Sequence, residues 1–235
     1  MTVPAAIFQV GHLERVPLGT PYPGIVAHVG RLLGKLPART ELVIDFTGVG
    51  RPVFDMFVCS GISPVGVLIT GGTAETRDGT ICSVPKLTLV SRLQALLHQG
   101  LLKIHKELPE AETLVHELQE FRVEFTATGH LTFNARSGKH DDLVLALAIA
   151  AWRAYGGGMA SYGLFEWTRR QAMGSRASEP RYFVGVDLGQ SRDPTAIAVV
   201  RRVEPVSSEE KHVPQPNYAP GSMEWQRQQQ QKGEV

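Results

Sequence analysis

Cysteine is nearly absent from this 235-residue sequence, which contains only Cys59 and Cys82. Two cysteines are too few for a disulfide framework and lack metal-ligand spacing, so we predict two buried thiols in a reducing compartment. No apolar run reaches the roughly 18 residues that a membrane span needs. The N-terminus also lacks a charged segment followed by an apolar one. We therefore expect a cytoplasmic protein (host cytoplasm, if a phage encodes it) with no membrane partner.

An excess of charge of either sign is also missing, because 24 Lys and Arg balance 23 Asp and Glu. A nucleic-acid partner would therefore need basic residues that are gathered locally. The segment GRLLGK (30–35) lacks the glycine spacing and the Ser or Thr of a P-loop, and a Gly-x-Ser-x-Gly motif is absent. The sequence thus argues against a P-loop ATPase and against a serine hydrolase.

Hydrophobic residues make up 43% of the chain, and their periodicity alternates between that of strands and that of helices. Strands are predicted over 7–16, 42–50, 65–72 and 101–106, with hairpins over 122–135 and 181–203. Helices are predicted over 23–36, 52–60, 85–99, 109–120 and 141–155. The polar segment 73–84 has turn chemistry, and we predict an exposed loop there. This alternation favours an α/β fold with a mixed sheet.

Acidic residues lie at one end of three of these hydrophobic elements, next to polar sequence. Asp187 and Asp45 each end an apolar strand, and Asp141 and Asp142 begin an apolar helix. Considered singly, an acid like Asp45 is more often a turn former, and a pair like Asp141–Asp142 is more often a helix N-terminus. For Asp187 alone, a structural role and a role in a site are about equally frequent. Taken together, buried carboxylates are costly unless they are paired or bind a cation. Oxygen ligands favour Mg²⁺ or Mn²⁺, and two such ions can hydrolyse a phosphodiester.

Several segments resemble the nuclease part of phage terminase large subunits. They are IDFTGVGRPVFD (44–55), ITGGTAETRDG (69–79), VPKLTLVSRLQALLHQGLLKI (84–104) and HDDLVLALAIAAW (140–152). FVGVDLGQSRDPTAIAVVRRVE (183–204) is similar to the segment that opens that nuclease domain. The resemblance implies an RNase H-like mixed β-sheet flanked by helices and a metal-dependent endonuclease that cuts viral DNA during packaging. It implies catalytic roles for Asp187, Asp45, Asp141 and Asp142, with Mg²⁺ or Mn²⁺ held in a two-ion site by Asp187, Asp45 and Asp141.

The order of these segments departs from the family, because the opening hairpin lies here after the last helix. The sequence is therefore interpreted as a circular permutation cut in a turn between two strands, where new termini are tolerated best. We predict one discontinuous domain from 1–155 and 181–204, a linker at 156–180 and a disordered tail at 205–235. Two alternatives stay open: the hairpin completes another subunit, or a gene fragment is joined to part of a neighbouring copy.

The ATPase motor of the family is missing, so further partners are expected. Besides double-stranded DNA, the resemblance implies a terminase small subunit, a portal and a separate ATPase motor. Candidate phosphate contacts are Lys86, Arg77, Lys139 and Arg51, while Asp193 and His140 are left without an assigned role. The alternative functions are an inactive DNA-binding or packaging module or gene remnant, a sugar-kinase or actin-like ATPase suggested by Val-Asp-Leu-Gly, and a Holliday-junction resolvase.

Overall fold

The computed structural model describes residues 6–48, 50–120, 122–125, 131–134, 141–158, 181–189 and 193–204. Its strands are β1 (Ile7–Arg15), β2 (Glu41–Asp45), β3 (Val65–Thr70), β4 (Thr76–Asp78), β5 (Ile81–Pro85), β6 (Leu102–Ile104), β7 (Arg122–Phe125), β8 (Leu131–Asn134), β9 (Arg181–Asp187) and β10 (Ala196–Val203). Its helices are α1 (Tyr22–Leu33), α2 (Gly50–Cys59), α3 (Lys86–His98), α4 (Ala111–Glu120) and α5 (Asp142–Ala154).

Eight of the strands form one mixed sheet in the order β4-β5-β3-β2-β9-β10-β1-β6. Strands β1, β10 and β9 are antiparallel neighbours, and β2 and β3 continue the sheet parallel to β9. Strands β7 and β8 pair separately. Three antiparallel strands continue into the parallel strands β2, β3 and β5, with helices on both faces. This mixed α/β sheet agrees with the RNase H-like fold that the resemblance implies.

The last two strands of the described chain lie in the middle of the sheet. Strand β9 pairs in parallel with β2, from Glu41 opposite Phe183 to Ile44 opposite Val186. Strand β10 pairs with β1 on its other side. The C-terminal hairpin therefore lies within the sheet of its own chain, between β2 and β1.

Alternating side chains of the strands divide the core between the two faces of the sheet. Helices α1 and α2 pack on one face with Ile44 and Val186, while α3, α4 and α5 pack on the other with Val43 and Phe183. Because successive side chains alternate, Asp45 and Asp187 belong to the face that carries α5.

Helix α5 is almost completely buried against β9 and β10. Gly185 of β9 makes this close approach possible. A Cβ at this position would overlap the carbonyl oxygen of Ala146 and lie 2.9 Å from the Cβ of Ala150. The glycine therefore sets how closely the middle of α5 approaches the strand that ends in Asp187.

Two predictions from the sequence are wrong. The segment 73–84 forms most of the β4–β5 hairpin, in which Cys82 and Val84 are buried and Gly79 takes a φ of 58° in the turn. Gly79 and Thr80 form the two-residue turn of this hairpin, where glycine is favoured at the first turn position. The polar composition of the segment is also that of a loop. Cys59 is exposed at the end of α2, whereas Cys82 is buried as predicted.

Several predictions fall outside the described residues. These are the tail at 205–235, the linker beyond residue 158, Lys139 and His140. Among the helices that the structure describes, none is long and apolar enough to cross a membrane.

Candidate metal centre

Asp187 and Asp45 lie side by side because their strands are parallel neighbours in register. Ile44 pairs with Val186, so the next residue of each strand brings the two carboxylates together at the ends of β2 and β9. Asp187 is 8% exposed, and its carboxyl group is hydrogen-bonded to that of Asp45. The backbone N–H of Thr47 donates to Asp45 Oδ1 at 2.8 Å, which fixes the second carboxylate in the turn after β2.

Both carboxyl groups hold their protons more tightly than an exposed aspartate does. Burial raises the pKa of Asp187 well above its ordinary value, and the negative charges of Asp45, Asp142 and Asp141 raise it further. Burial also raises the pKa of Asp45, while hydrogen bonds from Thr47 and from Asp187 act in the opposite direction. A proton on Asp187 that is donated to Asp45 therefore relieves the repulsion between these two groups.

The first turn of α5 adds two more carboxylates to this edge of the sheet. Asp142 is 6% exposed, and Asp141 lies at the N-cap position without capping the helix through its side chain. The Lys86 ammonium donates to Asp141 Oδ2 at 3.0 Å, and its positive charge also lowers the pKa of Asp45. All four predicted acids are thus gathered at one place, with one lysine among them.

Sequence reasoning missed two further charged residues of this cluster, Glu117 and Arg15. Glu117 of α4 forms an ion pair with Arg15 at the end of β1, and it accepts the backbone N–H of Val144 at 3.1 Å. Arg15 Nη2 also lies 4.0 Å from Asp142 Oδ2. Burial raises the pKa of Glu117 to about 7, although the Arg15 charge opposes this. The one available signal was an acid on the apolar face of α4, three residues after Leu114.

The other predicted contact residues lie in different settings. Arg51 places its guanidinium 6.0 Å from the ring centroid of Phe46, the residue that follows Asp45. Arg77 donates to the carbonyl oxygens of Gly79 and Gly158, at 2.8 and 2.7 Å. Asp193 is exposed just before β10. Of the predicted phosphate contacts within the described residues, Lys86 is the one in direct contact with the acids.

The donor set has the chemistry that a hard divalent cation requires. It offers carboxylate oxygens, with one acid whose pKa is raised by its burial and further by three like charges. Such repulsion is what a cation would relieve. In the described part of the chain, however, no group of three or more Asp, Glu, His or Cys residues is arranged so that it could hold a metal ion. The residues therefore fit a divalent cation in chemistry, and binding would require their side chains to rearrange.

Acids from the ends of two central strands and from the first turn of α5 thus cluster at one end of the mixed sheet. Comparison with curated proteins confirms the resemblance to terminase large subunits. The chain is 27% identical over 109 residues to the terminase large subunit of Thermus phage G20c, and equally to that of Thermus virus P23-45. Each match covers 46% of this chain and 19% of the relative. The chain therefore matches about a fifth of the length of these relatives, and no family model matches it.

Two solved structures are also similar to the chain. They are the large terminase nuclease of the thermophilic phage G20c with bound cobalt and the same nuclease with bound magnesium. Both give a TM-score of 0.43 at 22% sequence identity. The cobalt structure covers 62% of this chain and 80% of its own, and the magnesium structure covers 63% and 82%.

Proposed function

We propose that this chain is a metal-dependent DNA endonuclease of the terminase large-subunit type, which cuts viral DNA during packaging. The proposal rests on one observation. Asp187, from the C-terminal hairpin, lies beside Asp45 and the first turn of α5. These acids are far apart in the chain, and burying them together is costly unless they serve a site. The similarity to terminase large subunits supports the same assignment.

In this proposal Asp187, Asp45 and Asp141 hold Mg²⁺ or Mn²⁺ in a two-ion site, and Asp142 assists them. The bound ions would activate a water and stabilise the leaving oxygen of the phosphodiester. Burial beside α5 limits the access of solvent to Asp187, while Thr47 fixes the orientation of Asp45. Lys86 orients Asp141 through their ion pair, and it is the first candidate for a DNA phosphate contact.

The substrate is double-stranded DNA, and we assign Arg51, Arg77 and Lys139 as its further phosphate contacts. The domain would comprise residues 1–155 and 181–204, with a linker at 156–180 and a tail at 205–235. In this proposal, packaging would also involve an ATPase motor, a small subunit and a portal. We place the protein in the cytoplasm of the host cell.

Cleavage of supercoiled plasmid in Mn²⁺ or Mg²⁺ tests the proposal. Asp187→Asn and Asp45→Asn should each lower the cleavage rate at least about a hundredfold, since each removes a ligand of the ions. Asp78→Asn is the matched control, because Asp78 is an exposed aspartate at the end of β4, outside the acidic cluster. Cleavage by Asp187→Asn at the rate of the wild type would contradict the assignment.

A non-catalytic DNA-binding module is the second candidate, and one observation favours it. No described group of residues is arranged to hold a metal ion. This candidate predicts DNA binding that does not change with Mn²⁺, no cleavage, and no rise in melting temperature when Mn²⁺ is added to the folded protein.

A further inference from the structure

Three carboxylates are buried in the described part of the chain, namely Glu117, Asp142 and Asp187. All three meet around the N-terminus of α5, although they come from α4, α5 and β9. The proposed nuclease uses two of them and gives no role to Glu117. Its side chain is 5% exposed and lies on the same face of α4 as Leu114, where an apolar residue would pack at a lower cost.

Contacts with Arg15 and with the backbone of α5 hold Glu117 in this position, and they lead to the first turn of α5. One carboxylate oxygen forms the ion pair with Arg15, and the other accepts the backbone N–H of Val144 at 3.1 Å. Val144 is the third residue of α5, where a backbone N–H has no partner within the helix. Glu117 therefore supplies from a neighbouring helix the capping interaction that the side chain of Asp141 does not make.

Arg15 connects the same carboxylate to Asp142. Its Nη2 atom contacts Glu117 and lies 4.0 Å from Asp142 Oδ2. Since Arg15 ends β1, the guanidinium ties the first turn of α5 to the edge of the sheet where Asp187 and Asp45 lie. Glu117 thus acts on Asp142 twice, through the helix backbone and through the arginine.

We propose that Glu117 is a positioning residue of the acidic centre, and that with Arg15 it fixes the Asp142 carboxylate and the first turn of α5 for cation binding. The proposal rests on the proposed nuclease function. It follows the general behaviour of residues that support metal ligands, whose replacement weakens metal binding about 10- to 100-fold. A purely structural role would lower the stability of the protein and leave the metal affinity of its folded fraction unchanged.

Glu117→Gln tests the proposal, because the amide oxygen can still accept the Val144 N–H while the charge that orients Arg15 is lost. Glu112→Gln is the matched control, since Glu112 is exposed on the same helix. Mn²⁺ binding is measured by isothermal titration calorimetry, and kcat and KM by plasmid cleavage. We expect Glu117→Gln to weaken Mn²⁺ binding at least about tenfold and to lower kcat at limiting Mn²⁺, with KM for DNA unchanged. Glu112→Gln should match the wild type.

Arg15→Lys and Arg15→Met provide a second test that does not depend on the folding of Glu117→Gln. Lysine keeps the positive charge between Glu117 and Asp142, so Arg15→Lys should retain more Mn²⁺ affinity than Arg15→Met. Mn²⁺ affinities equal to the wild type in folded Glu117→Gln, or equal in the two Arg15 variants, would overturn the proposal. If the wild type neither binds Mn²⁺ nor cuts plasmid, the nuclease function itself fails and this inference falls with it.

Discussion

Replacing Asp187 by asparagine should stabilise the protein while it abolishes cleavage. Asparagine has the shape of aspartate, and its amide can donate to Asp45 as the protonated Asp187 does. At a pH where Asp187 is ionised, the replacement removes a buried charge that three other carboxylates repel. Two ionised carboxylates about 4 Å apart repel by roughly 4 kcal/mol at an effective dielectric constant of about 20. Because proton sharing relieves part of this repulsion, we expect Asp187→Asn to raise the free energy of unfolding by about 2 kcal/mol in EDTA at about pH 8.

The dependence of this gain on pH follows from the raised pKa of Asp187. Below the ordinary pKa of 3.8, Asp187 is protonated in both the folded and the unfolded chain and carries no penalty. As the pH rises toward the raised pKa, the unfolded chain releases its proton while the folded chain keeps it, so the wild type loses stability. The advantage of Asp187→Asn should therefore be small in acid and should reach its full size above the raised pKa.

Thermal unfolding with and without Mn²⁺ measures both effects. In EDTA at about pH 8, a gain of about 2 kcal/mol corresponds to a rise of roughly 4–8 °C in melting temperature for a domain of this size. Mn²⁺ at about 100 times its dissociation constant would stabilise the wild type by about 2.7 kcal/mol. Asp187→Asn should gain little from Mn²⁺, so metal reduces or reverses the difference between the two proteins.

Two results would refute this reasoning. The first is a lower melting temperature for Asp187→Asn than for the wild type in EDTA at about pH 8, since the carboxylate would then stabilise the fold. The second is an equal response of both proteins to Mn²⁺. Asp78→Asn provides the control, because an exposed carboxylate should change neither the stability nor the metal response.

Three further outcomes follow from the geometry. Gly185→Ala should destabilise the protein by about 3 kcal/mol in urea unfolding because the new Cβ overlaps the backbone of α5, whereas Gly11→Ala, which meets nothing within 4 Å, should be nearly neutral. Lys86→Met removes a charge that lowers the pKa of Asp45, so the acid limb of the pH profile of cleavage should move to higher pH, and a shift to lower pH would contradict this. Glu41→Gln weakens the hydrogen bonds that Glu41 accepts from Arg153 of α5 and Arg181 of β9, so it should lower the free energy of unfolding by about 1–3 kcal/mol. An unchanged urea midpoint would show that these bonds do not hold β9 in place.

The fold was largely predictable because its central strands are covered on both faces. Strands β2, β3 and β9 are short runs of apolar residues, and in an alternating α/β pattern such runs are typical of buried parallel strands. The β4–β5 hairpin was not predictable in the same way. It lies at the edge of the sheet, all three residues of β4 are exposed, and the polar composition of this segment is also that of a loop.

Site residues whose positions follow from the strand order were predictable from the sequence. Site residues whose positions depend on how the helices pack were not. Asp45 and Asp187 end neighbouring parallel strands, so the topology alone brings them together. Glu117 and Arg15 come from elements whose contact depends on how α4 packs beside α5, which periodicity does not reveal. The exposure of Cys59 was missed for a related reason, because α2 turns its last residue away from the sheet.

The place of β9 and β10 in the sheet has a consequence for how the protein is made. A ribosome produces the other six strands of the large sheet first, and without the hairpin they form two separate groups, β4-β5-β3-β2 and β1-β6. The inner edges of β2 and β1 then stay open until residues 181–203 emerge, and open strand edges promote association between chains. While residues 143–186 are being added, the nascent chain also carries Asp45 and Asp142 without Asp187. The acidic centre is therefore assembled only when the last strands of the sheet leave the ribosome.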